Sequence, residues 1–208
     1  MKYKILIIVV LSLLSNKIIS QTNSTISPKG KWFFGAELGL NTITSIQSNH
    51  KNSIQGGILA EYYFAKHWTV SGRLKYFETG VSYKYNSTNA VFEGAVISIP
   101  LNINWEYRIS NNFRGNLKVG VALNQEIISN YYYPASASTD YSTFYGTFNP
   151  GIGFNYFLSK NTAIYINYEV YVLGNERGNM DWLHIFPHSP NNNLFNIGIK
   201  HNFQKEDK

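Results

Sequence analysis

The 208-residue chain contains no cysteine, which excludes disulfides, thiolate metal sites, a cysteine nucleophile and a lipid anchor on cysteine. Charge is scarce as well. Charged side chains make up 14% of the sequence, against about 25% in soluble globular proteins. Long apolar runs are also missing: the one from Ile5 to Leu14 falls short of the ~20 residues a spanning helix needs. What the chain has instead is aromatic, 16% in all with 16 Tyr and 13 Phe, and it is rich in Asn and Ser. These are β-formers without the Lys and Glu coat of a soluble surface.

The short apolar run fits another role. Lys2 and Lys4 precede it, and Ile18-Ile19-Ser20 leads into Gln21. A basic start, a short hydrophobic core and a small residue before the cut make a secretory signal peptide over residues 1–20. Its removal takes Lys2, Lys4 and Lys17 away, so the formal net charge drops from +6 to +3, with 15 basic against 12 acidic residues. No basic run remains that would favour nucleic acid. Nucleic-acid binding is excluded on that ground.

After a short polar segment over 21–30, the sequence alternates with period two between turn signals. Eight such segments span approximately 31–42, 55–65, 67–78, 94–108, 112–125, 143–157, 161–173 and 193–204, with a polar tail over 205–208. The connections at Ala65-Lys66-His67, Ile109-Ser110-Asn111 and Ser159-Lys160-Asn161 are tight, whereas those near 43–54, 79–93, 126–142 and 174–192 are long. Outer-membrane barrels have short periplasmic turns and longer extracellular loops. The strict alternation of long and short predicts an all-β, eight-stranded antiparallel up-and-down transmembrane barrel over 31–204. Both termini would then be periplasmic and the four long connections outside.

Each segment has one apolar and one polar face. In the fourth, Ile97, Ile99, Leu101, Ile103, Trp105 and Tyr107 oppose Ser98, Asn102, Asn104, Glu106 and Arg108; in the eighth, Phe195, Ile197 and Ile199 oppose Asn196, Gly198 and Lys200. The parity survives each tight turn, because a three- or five-residue turn pairs residues whose numbers sum to an even value. Alternation alone leaves two barrels open, a lipocalin-like one with the apolar face inward and a membrane one with it outward. Small residues on the polar face (Gly35, Gly39, Gly120, Gly151, Gly153, Gly198), aromatics near strand ends (Trp32, Trp68, Trp105, Tyr107, Phe203) and a nearly charge-balanced polar face favour the membrane.

That orientation turns Glu37, Glu61, Glu106 and Glu169 toward Arg73, Lys75, Arg108, Arg114, Lys118 and Lys200 across a narrow interior. Unpaired charges there would be costly. A lumenal ion-pair network is expected, with the tight turns bringing Glu61 near Arg73 and Glu106 near Arg114.

The stretch Gly56 to Tyr85 (GGILAEYYFAKHWTVSGRLKYFETGVSYKY), the run Ile97-Ser98-Ile99-Pro100-Leu101, and Asn196 to Phe203 resemble the second and third, fourth and closing strands of the Bacteroidetes outer-membrane β-barrel, or PorT-like, family. The resemblance covers nearly the whole mature chain through degenerate strand patterns. It implies an eight-stranded barrel of the outer-membrane protein A or X type, without a defined activity for most members.

The expected function is that of an integral, non-porin protein of the cell outer membrane with a structural or surface-binding role. Its partners would be outer-membrane lipid, lipopolysaccharide and an extracellular or envelope protein; a monomer without cofactor is expected. Tyr131, Tyr132, Tyr133, Tyr141, Trp182 and Phe186 are the candidate loop contacts, since aromatics give large contact area at low entropy cost. The alternatives are a lipid A deacylase or acyltransferase type of enzyme and a secretion or assembly accessory. Asp181, His184, His188 and Ser189 supply the enzyme alternative. The last two are adjacent before Pro190, so on a strand they would point to opposite faces. No enzymatic activity is expected.

Overall fold

The computed structural model describes residues 27–44, 48–49, 52–85, 88–132, 144–173 and 191–204. The expected signal peptide and the tail over 205–208 lie outside them. The described residues form ten strands: β1 (Trp32–Thr44), β2 (Ser48–Asn49), β3 (Asn52–Tyr62), β4 (Trp68–Tyr85), β5 (Thr88–Arg108), β6 (Phe113–Tyr132), β7 (Phe144–Phe148), β8 (Gly151–Phe157), β9 (Thr162–Leu173) and β10 (Asn191–His201). They make eight staves. The two-residue β2 is a side pairing on β4, and β7 with β8 is one stave interrupted at Asn149-Pro150. The ladder runs through that interruption, with Asn149 N–H donating to Gly120 C=O at 2.9 Å and Val170 N–H to Pro150 C=O at 3.0 Å. Proline lacks the donor a regular ladder needs, which is why the strand breaks there.

All neighbouring pairs are antiparallel, and β10 pairs β1 from Phe34↔His201 to Thr44↔Asn191. That last pairing closes the sheet, which removes its free edges. The three tight hairpins pair as parity requires: Gln55↔Phe77 in β3–β4, Arg108↔Arg114 in β5–β6 and Phe157↔Ala163 in β8–β9 each sum to an even number. Two of these turns are held by a serine. Ser110 Oγ accepts from Phe113 N–H at 3.2 Å, and Ser159 Oγ accepts from Asn161 and Thr162 N–H at 3.2 and 3.1 Å. Local capping by serine is a known turn device.

The strands run further from the tight turns than the alternation alone indicates. Residues 79–93, expected as a long connection, are largely strand: β4 and β5 pair from Gly80↔Glu93 to Tyr85↔Thr88. β6 likewise continues to Tyr132, paired with Val91. A bulge between Ala95 and Val96 accommodates the extra residue Ile127, and Ile127 and Ile128 are both left exposed.

Burial settles the choice between the two barrels. Leu38 is 69% exposed and Ile58 60%, while Lys75 is 1% and Glu169 0% exposed. The apolar face is the outside. An aliphatic belt (Ile99, Leu101, Val119, Val121, Ile197, Ile199) meets an aromatic ring at the tight-turn end, where Trp32 packs on Tyr62 at 4.9 Å, Trp105 on Tyr107 at 5.5 Å and Phe113 on Phe154 at 5.3 Å between centroids. The outward run from Ile97 to Tyr107, at ~3.4 Å per residue and a ~40° tilt, rises about 26 Å, the height of an outer-membrane apolar band.

Candidate functional site

The interior is built in layers, and β9 crosses most of them. From the tight-turn end its inward side chains are Ala163, Tyr165, Asn167, Glu169 and Tyr171, all buried. Ala163 belongs to an apolar floor with Phe33, Tyr63 and Phe157. Phe33 meets Tyr63 and Phe157 edge-on at 5.4 and 6.2 Å. Tyr171 belongs to a second apolar layer with Phe77, Val96, Ala122 and Leu194, in which its ring stands at 88° to that of Phe77. The charges lie between the two.

They form two groups. Next to the floor, Lys200 Nζ pairs with Glu61 Oε2 and donates to Tyr63 Oη at 3.0 Å. Glu61 also accepts from Thr69 Oγ1 at 2.8 Å and Asn104 Nδ2 at 3.3 Å. Glu106 accepts from Tyr63 Oη at 2.8 Å and Arg114 Nη1 at 3.2 Å, and Arg114 stacks 5.0 Å from the Phe157 ring centre. Higher up, Glu169 is a hub for three cations: Arg73 Nη1 at 2.6 Å, Lys118 Nζ at 2.8 Å and Lys75 Nζ at 3.4 Å. Glu37 shares two of them, Lys75 at 2.7 Å and Arg73 at 3.7 Å, and accepts from Tyr165 Oη at 2.9 Å.

At and beyond the second apolar layer the described interior is amide-rich, with the Glu126 carboxylate buried beside Val96. Asn41 Nδ2 donates to Asn192 Oδ1 and Glu78 C=O, both at 2.9 Å. Thr79 Oγ1 donates to Asn192 Oδ1 at 3.0 Å, and Gln55 Nε2 bridges the Leu40 and Phe195 carbonyls at 3.2 and 3.1 Å. The cavity left between the two charged groups, lined by Glu61, Arg73, Asn104, Lys118 and Lys200 among others, is about 10 Å³. That is room for about one water.

Nine of the ten charges picked out in the sequence therefore converge in the lumen. Arg108 does not: it is exposed at the end of β5, and its guanidinium turns back to Asn111 Oδ1 in the tight turn. The Glu61–Arg73 pairing is also corrected. In the β3–β4 register Glu61 lies opposite Ser71, and Arg73 lies opposite Leu59. Barrel closure brings β10 across, so Lys200 takes Glu61 and Arg73 reaches Glu169 instead. The Glu106–Arg114 pair stands where the hairpin implies.

The charge pattern does not point to the apolar layers; their signal in the sequence is the inward parity of Phe33, Phe77, Tyr171 and Leu194. Of the candidate loop contacts, Tyr131 and Tyr132 end β6, with backbone pairs to Phe92 and Val91. Tyr133, Tyr141, Trp182 and Phe186 lie outside the described residues, as do Asp181, His184, His188 and Ser189.

Comparison with known proteins agrees with this geometry. The structure is similar to the outer-membrane protein OprG of Pseudomonas aeruginosa at 13% identity, covering 88% of this chain and 100% of that one with a TM-score of 0.61. Neisserial surface protein A matches at 12% identity over 83% and 97% of the two chains, with a TM-score of 0.54. Ail, the attachment invasion locus protein of Yersinia pestis, solved with the heparin analogue sucrose octasulfate, matches at 13% identity over 84% and 99%, with a TM-score of 0.52. At such identities the likeness is one of fold. No curated protein matches the sequence. A family model for the outer membrane protein beta-barrel domain matches residues 11–203, and the chain belongs to that family of outer-membrane β-barrels.

Proposed function

We propose that this outer-membrane barrel is a closed, non-conducting and non-enzymatic protein that works through the end of the wall remote from the tight turns. The observation that carries the first part is the lumen itself. Two apolar layers bracket five buried cations and four carboxylates, and the cavity between the charged groups is of water size. An eight-stranded barrel has an interior just wide enough for its side chains to fill. In planar bilayers the refolded protein should give no stable single-channel steps. Regular ohmic steps of a sustained pore would overturn the reading.

The second part rests on the tight hairpins lying together at one end, on Tyr131 and Tyr132 ending β6 at the other, and on Tyr133, Tyr141, Trp182 and Phe186 falling in the sequence between β6 and β7 and between β9 and β10. With both termini periplasmic, these connections face outward and meet lipopolysaccharide or a surface partner. Deleting 129–142 should abolish binding to whole cells while the heat-modifiable barrel still forms; unchanged binding refutes a role for that loop. Lipid A mass spectra identical with and without the protein are expected, and a shifted acyl pattern would restore the enzyme alternative. The narrower PorT-like kinship stays part of this proposal, supported by the strand patterns at 56–85, 97–101 and 196–203, and carries no secretion role with it.

A further inference from the structure

Outside the lumen, the described charges other than Lys84, which lies on β4 at the far end, are sorted by end. Lys29, Lys66, Arg108 and Lys160 are exposed and Lys31 is half-buried, and all five sit at the tight-turn end. Lys66 lies in the β3–β4 turn, Arg108 at the β5–β6 turn and Lys160 in the β8–β9 turn, while Lys29 and Lys31 precede β1. Lys31 Nζ donates to Asn161 Oδ1 at 3.2 Å, which ties the segment before β1 to the β8–β9 turn that carries Lys160. Every described carboxylate at this end (Glu61, Glu106) is buried in the lumen, and the described carboxylates on the exterior, Glu78 and Glu93, are at the other end.

Immediately inside the cationic rim stands the outward aromatic ring of Trp32, Phe34, Trp68, Trp105, Tyr107 and Phe203. Such rings sit at headgroup depth. A cationic band one step beyond an aromatic one places positive charge on the phosphate plane, where each basic residue attracts anionic headgroups. We infer that the tight-turn rim binds anionic phospholipid, seating this end of the barrel in a leaflet of negatively charged diacyl lipid. If the termini are periplasmic, that leaflet is the inner one; the inference about the rim holds for either orientation.

The rim carries its own reporters, because Trp32, Trp68 and Trp105 lie in the aromatic ring. The full mature chain with Trp182→Phe is reconstituted in phosphatidylcholine vesicles containing 20% brominated phosphatidylglycerol or, separately, ~20% brominated phosphatidylcholine. Tryptophan quenching reads which lipid is enriched at the rim. An enrichment of phosphatidylglycerol of about fivefold is expected for each headgroup held by one cation, falling toward unity in 1 M salt as screening grows. The fourfold variant Lys29→Gln, Lys66→Gln, Arg108→Gln, Lys160→Gln should quench equally with both lipids, while Lys84→Gln, at the other end, should keep the preference. Equal quenching by both lipids in the parent protein overturns the inference, and so does a preference that survives in the fourfold variant. The heat-modifiable mobility of each variant confirms that it is folded.

Discussion

Replacing Glu169 by Gln should be among the most damaging isosteric changes available to this barrel. The carboxylate is completely buried and holds Arg73, Lys118 and Lys75 at 2.6, 2.8 and 3.4 Å. Glutamine keeps the volume, so no cavity contributes. What is lost is the negative charge, and three buried cations are left to Glu37, which reaches only Lys75 and Arg73. Stranding a buried charge costs about 3–5 kcal/mol, whereas losing an exposed pair costs about 0–1 kcal/mol. The two cases are well separated. Urea unfolding of protein refolded in phospholipid vesicles, followed by tryptophan fluorescence and by gel mobility without boiling, measures the difference. Adding Lys118→Met to Glu169→Gln removes one stranded cation and should recover part of the loss, giving a favourable coupling of the two changes. A single-variant loss below about 1 kcal/mol, with no recovery in the double variant, would refute the hub role of Glu169.

Three further changes probe the wall and its filling. Ile58→Lys puts a charge on the 60%-exposed lipid face and should destabilise the vesicle-bound barrel by about 2–4 kcal/mol if that site lies near mid-bilayer; equilibrium unfolding reads it. Gly198→Ala would press a Cβ against the Tyr165 ring and the Ala36 carbonyl, the latter at 2.7 Å, and should cost about 1–3 kcal/mol in the same assay. Phe77→Ala empties part of the second apolar layer and should cost about 3–5 kcal/mol, yet bilayer conductance should stay absent because the floor of Phe33, Tyr63 and Phe157 is untouched.

The staves were legible because a barrel imposes a period of two at every strand, and the tight hairpins preserve its parity. Ile97 to Tyr107 shows the pattern at its clearest. The direction of the faces needed burial to decide it, since alternation is the same for a barrel worn inside out. Partner identities inside the lumen were less accessible. Glu61 and Arg73 are close in a hairpin, but closure through β10 sets the actual pairs, and Lys200 is 139 residues from Glu61. Arg108 follows the inward parity to the last residue of its strand and then departs, because the turn frees its side chain to reach Asn111. The extension of β4 and β5 was hidden by the Asn-Ser-Thr-Asn run at 86–89, which reads as a loop, although Thr88 and Asn89 already pair with Tyr85 and Lys84.

Lipid accessibility, position by position, tests the orientation of the wall most directly. The chain has no cysteine of its own, so a single introduced one takes a nitroxide label cleanly. Labels at Leu101, Ile103, Val119 and Val121 should be relaxed strongly by oxygen, which concentrates in lipid, and little by a water-soluble nickel chelate. Labels at Ser98, Asn102 and Asn116 should be immobile and shielded from both. Chelate access at the first set, or oxygen access of lipid magnitude at the second, would contradict a barrel that wears its apolar face outward around a sealed, ion-paired core.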